Sequence, residues 1–208
     1  MTLANKITAS RLVLAPAFFA IYLLPRFFPP VFALTPPSGT GDLLLVGAPW
    51  TVFVLWMLFV GSAVTDMLDG MVARKRGETS DFGKFFDPFA DTLAQVTYFF
   101  CFVVGGILSP VLFLVVLYRE FSILFIRNLM LRKGIAMGAR ISGKIKTVTY
   151  ILTVGLALTA SSVQRLGMDD GFYRFFATAA SVVFGVSVIF AVISLFDYIS
   201  VYRKAVKF

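Results

Sequence analysis

Apolar residues run along this chain in long, nearly unbroken stretches, without the regular polar alternation of a half-buried strand or surface helix. About twenty consecutive apolar residues suffice for a helix to cross a bilayer. Six stretches approach that length: Leu12–Ala33, Leu43–Thr65, Phe85–Ile107, Val111–Met130, Val148–Val163 and Phe175–Val201. The fifth is short and lengthens if it begins nearer Ile145, whereas the sixth is long enough to protrude or tilt. The pattern predicts an all-α polytopic membrane protein of six transmembrane helices, with residues 1–208 forming one domain. The mixed segment MTLANKITASR before the first stretch predicts a short amphipathic N-terminal helix, retained rather than removed as a secretory leader. Pro16 and Pro25 predict kinks in the span that follows.

Composition strengthens this reading. Hydrophobic residues make up 59% and charged residues 14%, with a mean hydropathy of +0.88. A soluble domain is nearer one half apolar and one quarter charged, and the excess is too large for a single buried core. The net charge is +8. Every Lys and Arg except Arg26, Arg165, Arg174 and the intraspan Arg119 falls on the side that carries both termini. The positive-inside rule therefore places both termini in the cytoplasm. The expected setting is the cell's inner (plasma) membrane, with the loop Thr35–Asp42 outside. The basic loops face anionic lipid rather than nucleic acid. Cys101 is the single cysteine and sits in an apolar run, so it packs, and no intrachain disulfide can form. Histidine is absent. A general base must then be a carboxylate, lysine or tyrosine, and a metal would need oxygen ligands.

Six of the eleven acidic residues lie between Asp66 and Asp91. At 100° per residue, Asp66, Asp69, Gly70 and Ala73 share a helical face with Arg74 at its edge, and Gly83, Asp87 and Asp91 form an i, i+4, i+8 stripe. Two helices joined by the basic turn Arg74–Gly77 can present two aspartates each. Pro88 places its helix either near its first turn or kinked there. Glu78 and Asp81 read as solvated loop charges, but Asp87 and Asp91 enter an apolar span, where acids mark function. Clustered carboxylates repel, so they must be protonated or bind a cation. Hard oxygen donors without histidine or thiolate suit Mg²⁺ or Mn²⁺, and two such ions can hold a diphosphate. Gly70, Ala73 and Gly83 remove bulk on the same faces, which lets a nucleotide or a backbone approach.

Asp66-Met-Leu-Asp69-Gly70-Met-Val-Ala73-Arg74, eight residues, Gly83, three, Asp87, three, Asp91 resembles the CDP-alcohol phosphotransferase motif at every fixed position. The resemblance implies six transmembrane helices, a homodimer, and a polar cavity open to the cytoplasm. It implies metal-ligand roles for Asp66, Asp69 and Asp87, and a double role for Asp91 as ligand and general base. Gly70, Ala73 and Arg74 would cradle cytidine diphosphate, with Gly83 admitting the nucleotide between helices.

Secondary motifs are similar to those of the phosphatidylglycerolphosphate synthase branch. They are Asn5-x-x-Thr8-x-x-Arg11, Phe86-Asp87-Pro88-Phe-Ala-Asp91, Arg119-Glu120 with Arg127, and Gly143-Lys144-Ile-Lys146-Thr147. Thr92 stands where that branch carries lysine. The implied reaction transfers a phosphatidyl group from CDP-diacylglycerol to sn-glycerol 3-phosphate and releases CMP. Arg127, Lys144 and Lys146, at the cytoplasmic ends of two spans, would bind the acceptor phosphate. The rival for these three is the charge bias of cytoplasmic loops. Arg119 and Glu120 lie deeper, either in the site or as a structural ion pair. Phosphatidylinositol-phosphate synthase and cardiolipin synthase are alternatives within the superfamily. A cation transporter is the alternative outside it, but it leaves the small-residue faces and Arg74 without a purpose.

Overall fold

Glycine, serine and proline punctuate the ends of the apolar runs, and the helices break there. The computed structural model describes residues 3–27, 49–76, 81–135 and 141–206, with side chains at 9–24, 50–65, 86–135 and 143–205. All regular structure among these residues is helical: α1 (Leu3–Phe27), α2 (Pro49–Arg76), α3 (Asp81–Val104), α4 (Pro110–Arg132), α5 (Ile141–Arg165) and α6 (Asp170–Val206). Ser109 caps α4 and accepts from the Leu112 amide, with Pro110 pre-set for the first turn. Gly106 (φ +75°) and Gly167 (φ +64°) turn the chain after α3 and α5 in a left-handed conformation that a side chain would oppose.

Two boundaries differ from expectation. The amphipathic lead-in and the first span are one helix, because nothing between Leu3 and Ala15 interrupts the helical pattern. α3 begins at Asp81, a residue expected in the loop, so of its two expected settings Pro88 takes the one inside the helix rather than the first turn. The segment 28–48, with the expected outer loop Thr35–Asp42, lies outside the described residues; of the expected basic turn, Arg74 to Arg76 are the last residues of α2 and Gly77 lies outside the described residues.

Two stretches, Gly143–Arg165 in α5 and Asp170–Ala205 in α6, are long and apolar enough to cross a membrane. The 37 residues of α6 span about 55 Å at 1.5 Å per residue, which agrees with the long sixth run. Phe175, Val182, Ile189 and Phe196 recur every seven residues along its length, and each is at least 60% exposed. A soluble monomer rarely exposes an apolar stripe of this length.

The opposite face of α6 packs on α5 through small residues, with Ala157, Ala160, Ala180 and Ala191 fully buried. Small side chains let helix backbones approach closely. α3 is central and packs on α1, α4 and α5. Its Phe99 ring meets Tyr150 of α5 at 4.9 Å and Phe184 of α6 at 5.0 Å. Phe18 of α1 meets Tyr98 edge-on at 4.7 Å. Cys101 is fully buried in this core, as its apolar surroundings required.

Arg165 closes α5 at the end of the bundle away from Asp91, but not as a solvated charge. It is buried at the end of α5 and donates to the Tyr22 carbonyl (2.8 Å) and to the Thr51 and Ser161 hydroxyls (3.3 Å each). Nearby, Trp56 Nε1 donates to Ser162 Oγ at 3.1 Å. These bonds tie α1, α2 and α5 at the end away from Asp91.

Candidate functional site

The two aspartate pairs sit on the helices the spacing assigned them. Asp66 and Asp69, with Gly70, Ala73 and Arg74, fall in the last turns of α2, and Gly83, Asp87 and Asp91 in the first three turns of α3. The side chains of Asp66, Asp69, Ala73 and Arg74, the surroundings of Gly70 and Gly83, and the side chains of Asn5 and Thr8 on α1 lie outside the described residues. The described part of the carboxylate set is therefore Asp87 and Asp91, one turn apart on α3. Both are hard oxygen donors. With histidine absent and the one thiol enclosed in the core, the donor chemistry fits Mg²⁺ or Mn²⁺.

Asp91 lines a cavity of about 430 Å³ among the helices. Its side chain is 41% exposed and ion-pairs with Arg11 of α1, which is itself buried. In the sequence Arg11 stands out only as the end of the Asn5-x-x-Thr8-x-x-Arg11 motif, and the structure brings it directly to Asp91. Thr92, the departure from the branch pattern, is buried in the same wall. The α3 stripe continues beyond Asp91 to Gln95 and Tyr98, which also line the cavity. Those two were missed, although i+4 and i+7 from Asp91 already pointed to them.

Arg127 of α4 and Lys144 and Lys146 of α5 also line the cavity. Arg127 lies 5.8 Å from the Tyr198 ring centre, a cation–π contact with α6. Lys144 is exposed, whereas Lys146 is only 7% exposed. The Lys146 ammonium donates to Glu120 Oε1 at 2.9 Å and stands 4.5 Å over the Tyr150 ring. Arg119 donates to the same Glu120 oxygen at 2.8 Å, to Ser194 Oγ at 2.8 Å and to the Ala191 carbonyl at 3.1 Å. Arg119 and Glu120 are thus a buried ion pair, and Lys146 is its third member. The Tyr98 and Tyr150 hydroxyls are buried in the wall, close to Ser62 and Glu120 but without well-formed hydrogen bonds to them.

The described lining carries five cations, Arg11, Arg119, Arg127, Lys144 and Lys146, against two carboxylates, Asp91 and Glu120. Such a surplus stabilises a polyanion through charge-assisted hydrogen bonds. Phe59, Ile123, Leu124 and Ile151 give the lining an apolar part. A phosphorylated polar group and an aliphatic one therefore find suitable surroundings within one cavity.

The family model for CDP-alcohol phosphatidyltransferase matches residues 1–193. Among curated proteins, the chain is 38% identical over 209 residues to the CDP-diacylglycerol–glycerol-3-phosphate 3-phosphatidyltransferase of Treponema pallidum, covering 100% of this chain and 92% of that one. It is 30% identical over 205 residues to the protein of the same name from Bacillus subtilis, covering 99% and 97%.

Proposed function

This chain belongs to the CDP-alcohol phosphatidyltransferase family, and from that premise we propose that it transfers a phosphatidyl group from CDP-diacylglycerol to sn-glycerol 3-phosphate, releasing CMP. The observation that carries this is the single cavity lined by Asp91 and by Arg127, Lys144 and Lys146. The names of the two relatives support the acceptor.

In this reaction an acceptor hydroxyl oxygen attacks the diacylglycerol-bearing phosphorus of the diphosphate. The new P–O bond forms as the bond to the CMP oxygen breaks, and Asp91 takes the hydroxyl proton. With no histidine in the chain, a carboxylate that reaches the cavity is the best-placed base. Arg11 steadies that carboxylate, while Arg127, Lys144 and Lys146 orient the acceptor through its phosphate. Asp66, Asp69, Asp87 and Asp91 would hold Mg²⁺ or Mn²⁺, in our reading two ions. The bound cation would neutralise diphosphate charge and polarise the phosphorus. Gly70, Ala73, Arg74 and Gly83 would form the nucleotide cradle.

The same proposal includes six membrane crossings, with both termini and the cavity on the cytoplasmic side of the inner membrane. It is supported by the apolar runs, the exposed stripe of α6 and the distribution of Lys and Arg. A homodimer is part of it by family resemblance alone. Purified protein given CDP-diacylglycerol and a panel of alcohols tests the whole. CMP release with glycerol 3-phosphate, in preference to inositol phosphate or phosphatidylglycerol, is the expected result. Preference for a neutral polyol would eliminate the proposed acceptor.

A further inference from the structure

We propose that Glu120 is a positioning residue for acceptor binding, holding the Lys146 ammonium at the cavity wall and taking its own place from Arg119. The inference rests on the phosphate site proposed above and adds the residue that makes its buried lysine directional.

Lysine carries a point charge on a flexible four-carbon stem, and its three donors have no fixed direction. Lys146 is nevertheless confined. Glu120 Oε1 accepts one of its N–H bonds at 2.9 Å, and the Tyr150 ring lies beneath the ammonium at 4.5 Å. Three donors on one ammonium leave capacity for a phosphate oxygen in the cavity that Lys146 lines. Glu120 is itself only 4% exposed, so its carboxylate has little freedom to swing.

Arg119 plays a different part. Its Nε, Nη1 and Nη2 are committed to the Ala191 carbonyl, Glu120 and Ser194. It is a buttress that transmits the position of α6 to Glu120. A series of contacts then runs from α6 through Arg119 and Glu120 to Lys146 on α5. Among the described residues no Cα of α4 lies within 8 Å of one of α5. The Glu120–Lys146 pair therefore reaches across a gap that backbone packing does not close. By its charge alone a glutamate in this wall opposes an anionic acceptor. Its place beside the lysine is accounted for if direction, more than summed positive charge, limits acceptor capture.

The test uses the full chain in mixed micelles with CDP-diacylglycerol and glycerol 3-phosphate, comparing wild type, Glu120→Gln, Lys146→Ala and the double variant. Glutamine keeps the shape of Glu120 and removes the charge that holds the ammonium. Glu120→Gln is expected to raise the acceptor KM about tenfold, the loss of one charge-assisted hydrogen bond, and to leave the CDP-diacylglycerol KM within about twofold. The double variant is expected to be no worse than Lys146→Ala, because Glu120 acts through that lysine. A merely structural role would raise both KM values together. Should Glu120→Gln fail to fold, Glu120→Asp keeps the charge but pulls it back by one methylene, and must still raise the acceptor KM selectively. An unmoved or lowered acceptor KM, or losses that multiply in the double variant, overturns the inference while wild-type turnover of glycerol 3-phosphate leaves the proposed reaction standing. Failure of the wild type to use glycerol 3-phosphate overturns both.

Discussion

Arg11 of α1 ion-pairs with Asp91 of α3, setting a buried guanidinium from the first helix against the carboxylate on which the proposed chemistry depends. The two residues are eighty positions apart, and the close packing of α1 on α3 brings them together. Arg11→Gln removes the charge from this contact and leaves Asp91 free to turn. A charge-assisted hydrogen bond contributes about 1.5–3 kcal/mol, so kcat/KM is expected to fall roughly ten- to a hundredfold. Arg11→Lys is expected to recover part of the loss. Steady-state CMP release by the two variants checks this, and unchanged turnover in Arg11→Gln would reduce the pair to a packing contact.

Chelation gives a second prediction. Clustered carboxylates with no imidazole or accessible thiolate nearby suit a hard divalent cation. EDTA is expected to abolish CMP release, with Mg²⁺ or Mn²⁺ restoring it. Full turnover in metal-free buffer, or rescue by Zn²⁺ alone, would count against the proposed carboxylate site.

Much of this site was legible because its residues recur at helical spacing. Gly83, Asp87 and Asp91 declared one face of α3, and the same period extends to Gln95 and Tyr98 in the cavity wall. Arg127, Lys144 and Lys146 were legible as a cationic group because they flank one short connection between helices. What sequence could not supply was the partner of each charge. Lys146 and Glu120 are 26 positions apart on different helices, and Arg119 reaches α6 more than seventy positions away. Such pairings depend on helix packing, which periodicity does not encode. The change in composition at Arg11 resembles a helix boundary in the sequence. Polar and apolar residues continue the same backbone ladder, and here the helix runs from Leu3 through Pro16 and Pro25 to Phe27.

The acceptor site yields a third prediction. Lys144→Ala and Arg127→Ala are expected to raise the KM for glycerol 3-phosphate about ten- to a hundredfold and to affect the CDP-lipid KM far less. Equal, small changes in both constants would assign these residues to the charge bias of cytoplasmic loops.

Arg119 provides a fourth, on stability. Its three hydrogen bonds join Glu120 to α6, and both charges are buried. Arg119→Met would strand part of that network, and breaking a buried pair from one side costs about 3–5 kcal/mol. Thermal unfolding in detergent is expected to show a clear drop in midpoint. A midpoint equal to that of the wild type would mean that Lys146 alone satisfies Glu120.

The most direct measurement concerns Asp91. CDP-diacylglycerol affinity and the single-turnover rate of CMP formation should be determined for Asp91→Asn and Asp66→Asn over a range of Mg²⁺ concentrations. With Asp91 as the general base, Asp91→Asn retains much of the CDP-lipid binding, yet its single-turnover rate falls by at least ~10² at every Mg²⁺ concentration. Asp66→Asn instead loses metal and CDP-lipid affinity together. Recovery of the Asp91→Asn rate at high Mg²⁺, without recovery of Asp66→Asn, would contradict this assignment and leave Asp91 as a metal ligand only.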